Sequence, residues 1–430
     1  MSKNIFKFII KEFHESWQPS HILERELKVP LNTTKVIVVY GARRCGKTFY
    51  FYSLINSLTK SSVNKEKIIY INFEDDRLSS LKIEDLGDLL EAYYELYPSN
   101  LESTLYLFLD EIQNIEKWEQ FARRINDTKK IKLFLTGSSA KLTSKEIATS
   151  LRGRCLSYAL HPLNFREFLL FKNEDIKKDF EYSSQRYKVK KLLDDYIELG
   201  AFPEVVLCKD IEIKKKILRE YHESLVYKDL LDRFKIKNSD LLKDLLKHLF
   251  TNFTSNFSTN SYYKTIKNTI SVSRDTVSEY LNYVQETSYF YLLPHFSYSL
   301  KSQKVNPKKI IVLDNGLRNI GSFRLSTDTG KLAENLVGAT LKNHHDEIFY
   351  FKDKSDIDFV VKKDNFLDVI NVTYGEEIHE REIKSLLYFK KQFKNVKRLL
   401  LINKDHEATK NGINMVPLWK WLLGNPPILI

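Results

Sequence analysis

A chain of 430 residues is too long for one ordinary hydrophobic core, so two to four domains are expected. Its 43% hydrophobic, 29% charged and 13% aromatic content is that of a soluble globular protein and argues against disorder. A net charge of +12 and a pI near 9.1 are compatible with nucleic acid as a partner, although the lysines are spread along the whole chain.

The N-terminal stretch MSKNIFKFIIKEFHESW has a short apolar patch cut off by charges. It lacks the long apolar core of a signal peptide, and no run in the chain approaches the ~18 residues of a membrane span. The three cysteines, Cys45, Cys155 and Cys208, are far apart and odd in number, which suits reduced thiols better than a disulfide frame or a zinc site. A cytoplasmic chain without membrane contact is the expectation.

KVIVVY, at 35–40, is an unbroken apolar strand of the kind buried on both faces of a parallel sheet. It runs into Gly41-Ala42-Arg43-Arg44-Cys45-Gly46-Lys47-Thr48 and then into a helical FYFYSLINSL. This is G-x-x-x-x-G-K-T in the strand–loop–helix setting that a phosphate-binding P-loop requires. The glycines let backbone N–H groups turn inward around a β-phosphate, at a helix N-terminus that favours anions. Lys47 then reaches the β- and γ-phosphates, and Thr48 offers its hydroxyl to Mg2+.

KIIYINFEDDRL supplies a second strand (67–73) ending in acid, and TLYLFLDEIQ a third (105–109) ending in Asp110-Glu111. Asp110 would hold Mg2+, through water, and Glu111 would polarise the attacking water as a general base. Taken alone, the pair also suits an acidic helix start, where carboxylates are favoured; the upstream P-loop makes that the lesser reading. A fourth strand (132–135) leads into Thr136-Gly137-Ser138-Ser139, placed to contact the γ-phosphate or the water. Strands thus alternate with helical segments, and the polar residues fall at strand C-terminal ends, where doubly wound sheets put ligands. Asn403-Lys404-Asp405 comes near the N-K-x-D of GTP-specific proteins, but the aspartate is one position early and the segment belongs to another domain, so ATP is the expected nucleotide.

GARRCGKT, INFEDDRL, FLDEIQNIEKWE, LTGSSAKL, LRGRCLSYALHPLNFREFL, YIELGAFPEVV, GKLAENLVGATL and DIDFVV occur in one order over nearly the whole chain. In these pieces the chain resembles the prokaryotic AAA-type ATPases that carry a C-terminal nuclease-like domain of unknown function. The resemblance implies that Lys47, Thr48, Asp110 and Glu111 bind and hydrolyse ATP. It further implies that Arg152 or Arg154 senses or completes a nucleotide site by neutralising transition-state charge; a salt bridge on a lid helix is the alternative. Beyond a polar stretch at 175–191, YIELGAFPEVV, with Gly200 and Pro203 breaking a helix, resembles the family's small helical lid.

Residues 236–312 read as a winged helix. NSDLLKDLLKHLFTNF and NSYYKTIKNTIS are its first two helices, and Ser271 to Glu286 the third, capped by Ser273 with Val277, Tyr280, Leu281 and Val284 buried. Two strands joined by a basic link form the wing, where Lys301, Lys304, Lys308 and Lys309 lie without an intervening acid. These suit DNA phosphates. The third helix argues the other way, since its single Arg274 stands beside Asp275 and Glu279.

The last hundred residues resemble the restriction-endonuclease-like, or PD-(D/E)XK, fold: a helix with Glu334, a strand, a hairpin turning at Asp364-Asn365 with Asp358 on its first strand, then helix and strands. Cleavage in that fold needs metal-binding carboxylates and a lysine. Glu334 and Asp358 fill the first two places. The third place and the lysine position read Asn371 and Thr373, Asp368 points to the opposite face, and Lys362 and Lys363 have the wrong spacing. Asn371 retains a carbonyl oxygen for a hard cation, but no DNA cleavage is expected.

The expected architecture is α/β: an N-terminal helical segment (1–30), an AAA-type P-loop domain with a parallel sheet (31–165), a helical lid and linker (166–235), the winged helix (236–312) and the nuclease-like domain (325–430). The expected function is a Mg2+-dependent, ATP-hydrolysing switch that acts on DNA through the winged helix. The rival is a regulatory ATPase with a protein partner and no nucleic-acid role. Both leave an oligomer open.

Overall fold

A computed structural model describes residues 2–18, 22–138, 151–177, 179–322 and 328–424. The chain divides into two compact units, 1–161 and 162–430.

The first unit is built on a parallel sheet of five strands in the order β2-β3-β4-β1-β5. Helix α1 (Ser2–Ser16) precedes β1 (Val36–Gly41), and α2 (Lys47–Lys60) follows it. Then come β2 (Ile68–Asn72), α3 (Leu86–Leu96), β3 (Leu105–Asp110), α4 (Trp118–Thr128), β4 (Ile131–Ser138) and β5 (Cys155–Ala159). The side chains of β1 alternate between faces. Val36 and Val38 join a core made with Phe6, Ile9 and Ile10 of α1 and Leu86, Leu89 and Tyr93 of α3. Ile37 and Val39 join the opposite core, with Tyr50, Phe51 and Leu54 of α2. All four β1 residues are fully buried, which is why KVIVVY is apolar without alternation. The four strands expected from sequence are present. The fifth was not legible: CLSYA mixes polar and apolar residues and is only partly buried at the sheet edge.

The second unit opens with α5 (Phe165–Phe171), α6 (Gln185–Leu199), α7 (Pro203–Leu207) and α8 (Ile211–Ser224), the last running into a π-helical segment, Leu225–Asp232. The expected break falls between α6 and α7, with Gly200 after the first helix and Pro203 starting the second. Next come α9 (Ser239–Thr251), β6 (Asn256–Phe257), α10 (Thr259–Ile266), α11 (Arg274–Glu286), β7 (Phe290–Leu293), α12 (Leu300–Val305) and β8 (Lys308–Val312). The Ser273 side chain caps α11 by accepting from the Thr276 N–H, and Val277, Tyr280, Leu281 and Val284 are buried, as expected. Strands β6, β8 and β7 form an antiparallel sheet in that order. The basic link between β7 and β8 contains the short helix α12 rather than an open loop.

After α13 (Asn315–Gly321) and α14 (Thr329–His344) the chain forms β9 (Ile348–Lys352), the hairpin β10 (Asp356–Lys363) and β11 (Phe366–Val372), α15 (Glu380–Gln392), β12 (Val396–Asn403), β13 (Ala408–Lys410), β14 (Ile413–Pro417) and α16 (Leu418–Leu423). This sheet has the order β13-β14-β12-β11-β10-β9, and only the β11–β12 and β12–β14 pairs are parallel. Among the described residues, no helix is long and apolar enough to cross a membrane.

Candidate functional site

The first unit gathers its polar residues at one end of the sheet. The loop from Gly41 to Gly46 joins the end of β1 to the first turn of α2, with Arg44 at φ 66° and Gly46 at φ 92°. At Gly46 a side chain would be strained by the left-handed backbone. At Gly41 an added Cβ would lie 2.1 Å from the Leu160 carbonyl oxygen. Both glycines of the motif are therefore required by backbone geometry.

Lys47 is buried and folds back over the loop. Its ammonium lies 3.4 Å from the carbonyl oxygens of Gly41 and Ala42 and 3.2 Å from Glu111 Oε1. Asp110, at the end of β3, is fully buried. It accepts hydrogen bonds from the Tyr70 hydroxyl at 2.9 Å and from the Thr136 and Thr48 hydroxyls. Burial, with the charge of Glu111 added, pushes its carboxyl above the usual range despite those bonds. Glu111 adopts φ 52° and its N–H donates to Thr136 Oγ1 at 2.9 Å, while the Gln113 amide donates to its carboxylate. Burial alone would push Glu111 up as well. The Lys47 charge, aided by the hydrogen bonds of Gln113 and Lys47, outweighs burial and holds it below its ordinary value. Adjacent carboxylates thus shift in opposite directions, because only one of them faces the lysine.

Thr48 and Asp110, the residues expected at Mg2+, share a hydrogen bond between hard oxygen donors. That donor set fits a cation that keeps most of its own waters and takes one or two protein ligands. Among the described residues there is no group of three or more His, Cys, Asp or Glu side chains able to hold a metal by itself.

Ser138 lies beside Gly41 in the β1–β4 register and is buried, so the fourth strand tip does reach the loop; Ser139 lies outside the described residues. Thr136 has a different place from the one expected. Its hydroxyl accepts from the Glu111 N–H and donates to Asp110, so it fixes the two acids instead of facing a γ-phosphate. Thr136→Val keeps the shape, strips the buried Glu111 N–H of its acceptor and removes one of the three hydroxyls that donate to Asp110. It should lower stability by ~1–3 kcal/mol, checked by chemical denaturation.

Arg43 forms an ion pair with Glu74 at 3.7 Å. The arginines after the fourth strand are elsewhere. The Arg154 carbonyl accepts from the N–H of Val36, at the start of β1, and the Arg154 side chain pairs with Asp127 at 2.8 Å. Arg152 is exposed nearby in sequence, before β5. Five residue steps of strand, ~16 Å, separate that end from Gly41. Arg154 is therefore held at the opposite end of β1 from the loop.

Three partners escaped the sequence reading: Tyr70, Gln113 and Arg25. Arg25 is buried, and its guanidinium donates to the Cys45 carbonyl at 2.9 Å and to the His161 carbonyl at 2.7 Å. The Leu27 carbonyl accepts from the Tyr50 hydroxyl at 3.0 Å. The segment before β1 is therefore a strap across the loop and α2. A tyrosine within the apolar run IIYI of β2 was a readable signal for Tyr70; nothing marked Arg25.

In the second unit Glu334 of α14 and Asp358 of β10 come together as expected, but with a lysine between them. Lys309 of β8 is buried, 2.5 Å from Glu334 Oε1 and 3.0 Å from Asp358 Oδ1. This corrects the reading of Lys309 as a DNA contact: its charge is spent inside the protein. Asn371 faces Asp358, and its Oδ1 accepts from the Asp358 N–H at 3.2 Å. Asp368 lies on the other face, 3.6 Å from Arg398. Lys362 pairs with Glu347 at 3.0 Å, Lys363 is exposed, and the Thr373 N–H donates to Ile402.

Comparison with known proteins gives three matches along the chain. Residues 33–169 match an AAA domain, 190–326 a domain of unknown function (DUF8612) and 329–421 another (DUF4143). An uncharacterized protein of Methanocaldococcus jannaschii is 35% identical over 98% of this chain and 96% of its own length. The chain belongs to the same family as that archaeal protein. An uncharacterized protein of Haemophilus influenzae is 29% identical over 91% of this chain and 95% of its own length. Among solved structures, a Walker-type ATPase of Pyrococcus abyssi is similar with a TM-score of 0.43 and 12% identity, over 74% of this chain and 95% of that one. The ORC1 protein of Aeropyrum pernix, in complex with DNA, has a TM-score of 0.34 and 12% identity, over 74% of this chain and 91% of that one. The family thus joins an AAA-type P-loop ATPase fold to a C-terminal domain with its own mixed sheet.

Proposed function

We propose that the protein is a Mg2+-dependent, ATP-hydrolysing switch. The observation that carries this reading is the convergence of Lys47, Thr48, Asp110 and Glu111 at one end of the parallel sheet. With nucleotide bound, Lys47 would leave Glu111 for the phosphates, and Thr48 and Asp110 would hold Mg2+, which would supply charge neutralisation there. Glu111, released from the lysine, orients the attacking water and accepts its proton, and Thr136 keeps its backbone in place. Arg152 or Arg154 senses or completes a nucleotide site by neutralising transition-state charge. The test is phosphate release from ATP by the purified chain with Mg2+; ATP bound without release would overturn the hydrolysis reading.

The partner proposed is DNA, met in the cytoplasm by residues 236–312. Their helix, strand, helix, helix, strand, short helix, strand order supports a winged helix, and Lys301 and Lys304 are exposed on the short helix α12. Replacing Lys301, Lys304 and Lys308 by Ala should weaken a salt-sensitive, sequence-tolerant binding. It should also flatten the log–log salt slope by about 0.9 for each phosphate no longer neutralised, read by fluorescence anisotropy at several salt concentrations. A specific observation favours the rival protein partner: Tyr298, Leu300 and Val305 are 67%, 71% and 74% exposed around the same lysines. Affinity unchanged at low salt would decide for it.

A further inference from the structure

The fold that the C-terminal domain resembles uses its paired acids to hold a divalent metal. The residues present here do not fit one. The Lys309 ammonium has three protons and three acceptors: Glu334 Oε1 at 2.5 Å, Asp358 Oδ1 at 3.0 Å and the Asp358 carbonyl oxygen at 3.2 Å. The second oxygen of Asp358 accepts from the Val372 N–H at 2.9 Å. The Asn371 carbonyl oxygen, the remaining candidate ligand, is turned to the Asp358 N–H, and its amide donates to Glu382 at 2.7 Å. Each of these oxygens already has a partner within the chain. Burial by itself would favour a neutral lysine, but the charges of Asp358 and Glu334 outweigh it and hold the ammonium above the ordinary lysine value. The ammonium also lies over the Phe359 ring, 4.8 Å from its centre.

We infer that Lys309 is a resident cation, occupying the place between Glu334 and Asp358 that a metal would take, and that it fastens the β6-β8-β7 sheet to the C-terminal sheet. Lys309 belongs to β8, whereas its acids belong to α14 and β10. A second attachment lies close by in sequence: the Phe296 N–H donates to the Tyr350 carbonyl at 2.7 Å, and the Tyr350 N–H to the Pro294 carbonyl at 3.1 Å, so residues 294–296 run beside β9. The inference is independent of the ATPase reading.

The test is Mn2+ binding by the full chain without nucleotide, followed by the spin-resonance signal of free Mn2+, with thermal melting alongside. The parent should hold no Mn2+ that Asp358→Asn removes. Lys309→Ala should melt lower in chelator, gain one bound Mn2+, and recover part of its melting temperature when Mn2+ is added. Lys309→Ala/Asp358→Asn should gain none. Lys309→Met keeps an unbranched chain of similar volume and should melt lower without gaining Mn2+, which separates loss of charge from loss of volume. Mn2+ bound by the parent and lost in Asp358→Asn would overturn the inference, even if no Lys309 variant folds. Plasmid nicking by the parent that both Asp358→Asn and Lys309→Ala abolish would overturn it too, as would Lys309→Ala that binds no more Mn2+ than the parent.

Discussion

Glu111→Gln should keep ATP bound and slow its hydrolysis by ~10²–10⁴, the usual contribution of a positioned general base. The substitution preserves length and shape at a residue whose N–H is held by Thr136 and whose side chain meets Lys47 and Gln113. It leaves untouched the residues that would meet phosphate and metal, so binding and turnover should separate. Titration with a fluorescent ATP analogue reads the first, and phosphate release the second. Parent-like turnover would remove Glu111 from the role assigned to it.

Lys47→Ala should act on binding itself, by roughly a hundredfold or more. The lysine would meet two phosphates, and each charge-assisted hydrogen bond contributes ~1.5–3 kcal/mol. The nucleotide-free protein should change as well. In the parent, Lys47 holds Glu111 below its unfolded value, so this group adds stability that is present above that value and is lost as pH falls through the folded one. Without the lysine, burial is the main influence left and the sign reverses: Glu111 then favours the folded state only while protonated and costs stability as pH rises. Thermal melting of both proteins between acid and neutral pH should therefore give opposite slopes from this site. Parallel slopes would mean that the buried pair does not govern the charge of Glu111.

Much of the ATPase half was readable because its chemistry is local in sequence. A P-loop is one strand, one loop and one helix, and the acid pair ends another apolar strand, so motif and periodicity coincide. What was not readable depends on contacts between distant segments. Thr136 was visible as a strand-tip residue, but its role follows from the β3–β4 pairing that sets its hydroxyl between Asp110 and the Glu111 N–H. Arg25 sits in a segment without regular structure, and only the folded chain shows its carbonyl partners. Lys309 was misplaced for a more instructive reason. Lys308 and Lys309 are neighbours on a strand, so their side chains must leave opposite faces. A run of basic residues there cannot all be surface, and the one that turned inward found the acids that the resemblance had marked for a metal.

The strap and the first helix bear on how the ATPase half can be cut from the chain. Similarity to other AAA domains begins at residue 33, which invites a fragment starting there. Such a fragment would lose Phe6, Ile9 and Ile10, laying bare the faces of Leu86, Leu89 and Tyr93 that they cover. It would also lose Arg25, leaving the Cys45 carbonyl without its guanidinium just where the loop must hold its curvature. The compact body that carries the P-loop therefore runs from the first helix to His161, and the residues ahead of position 33 are part of its core and not an appendage.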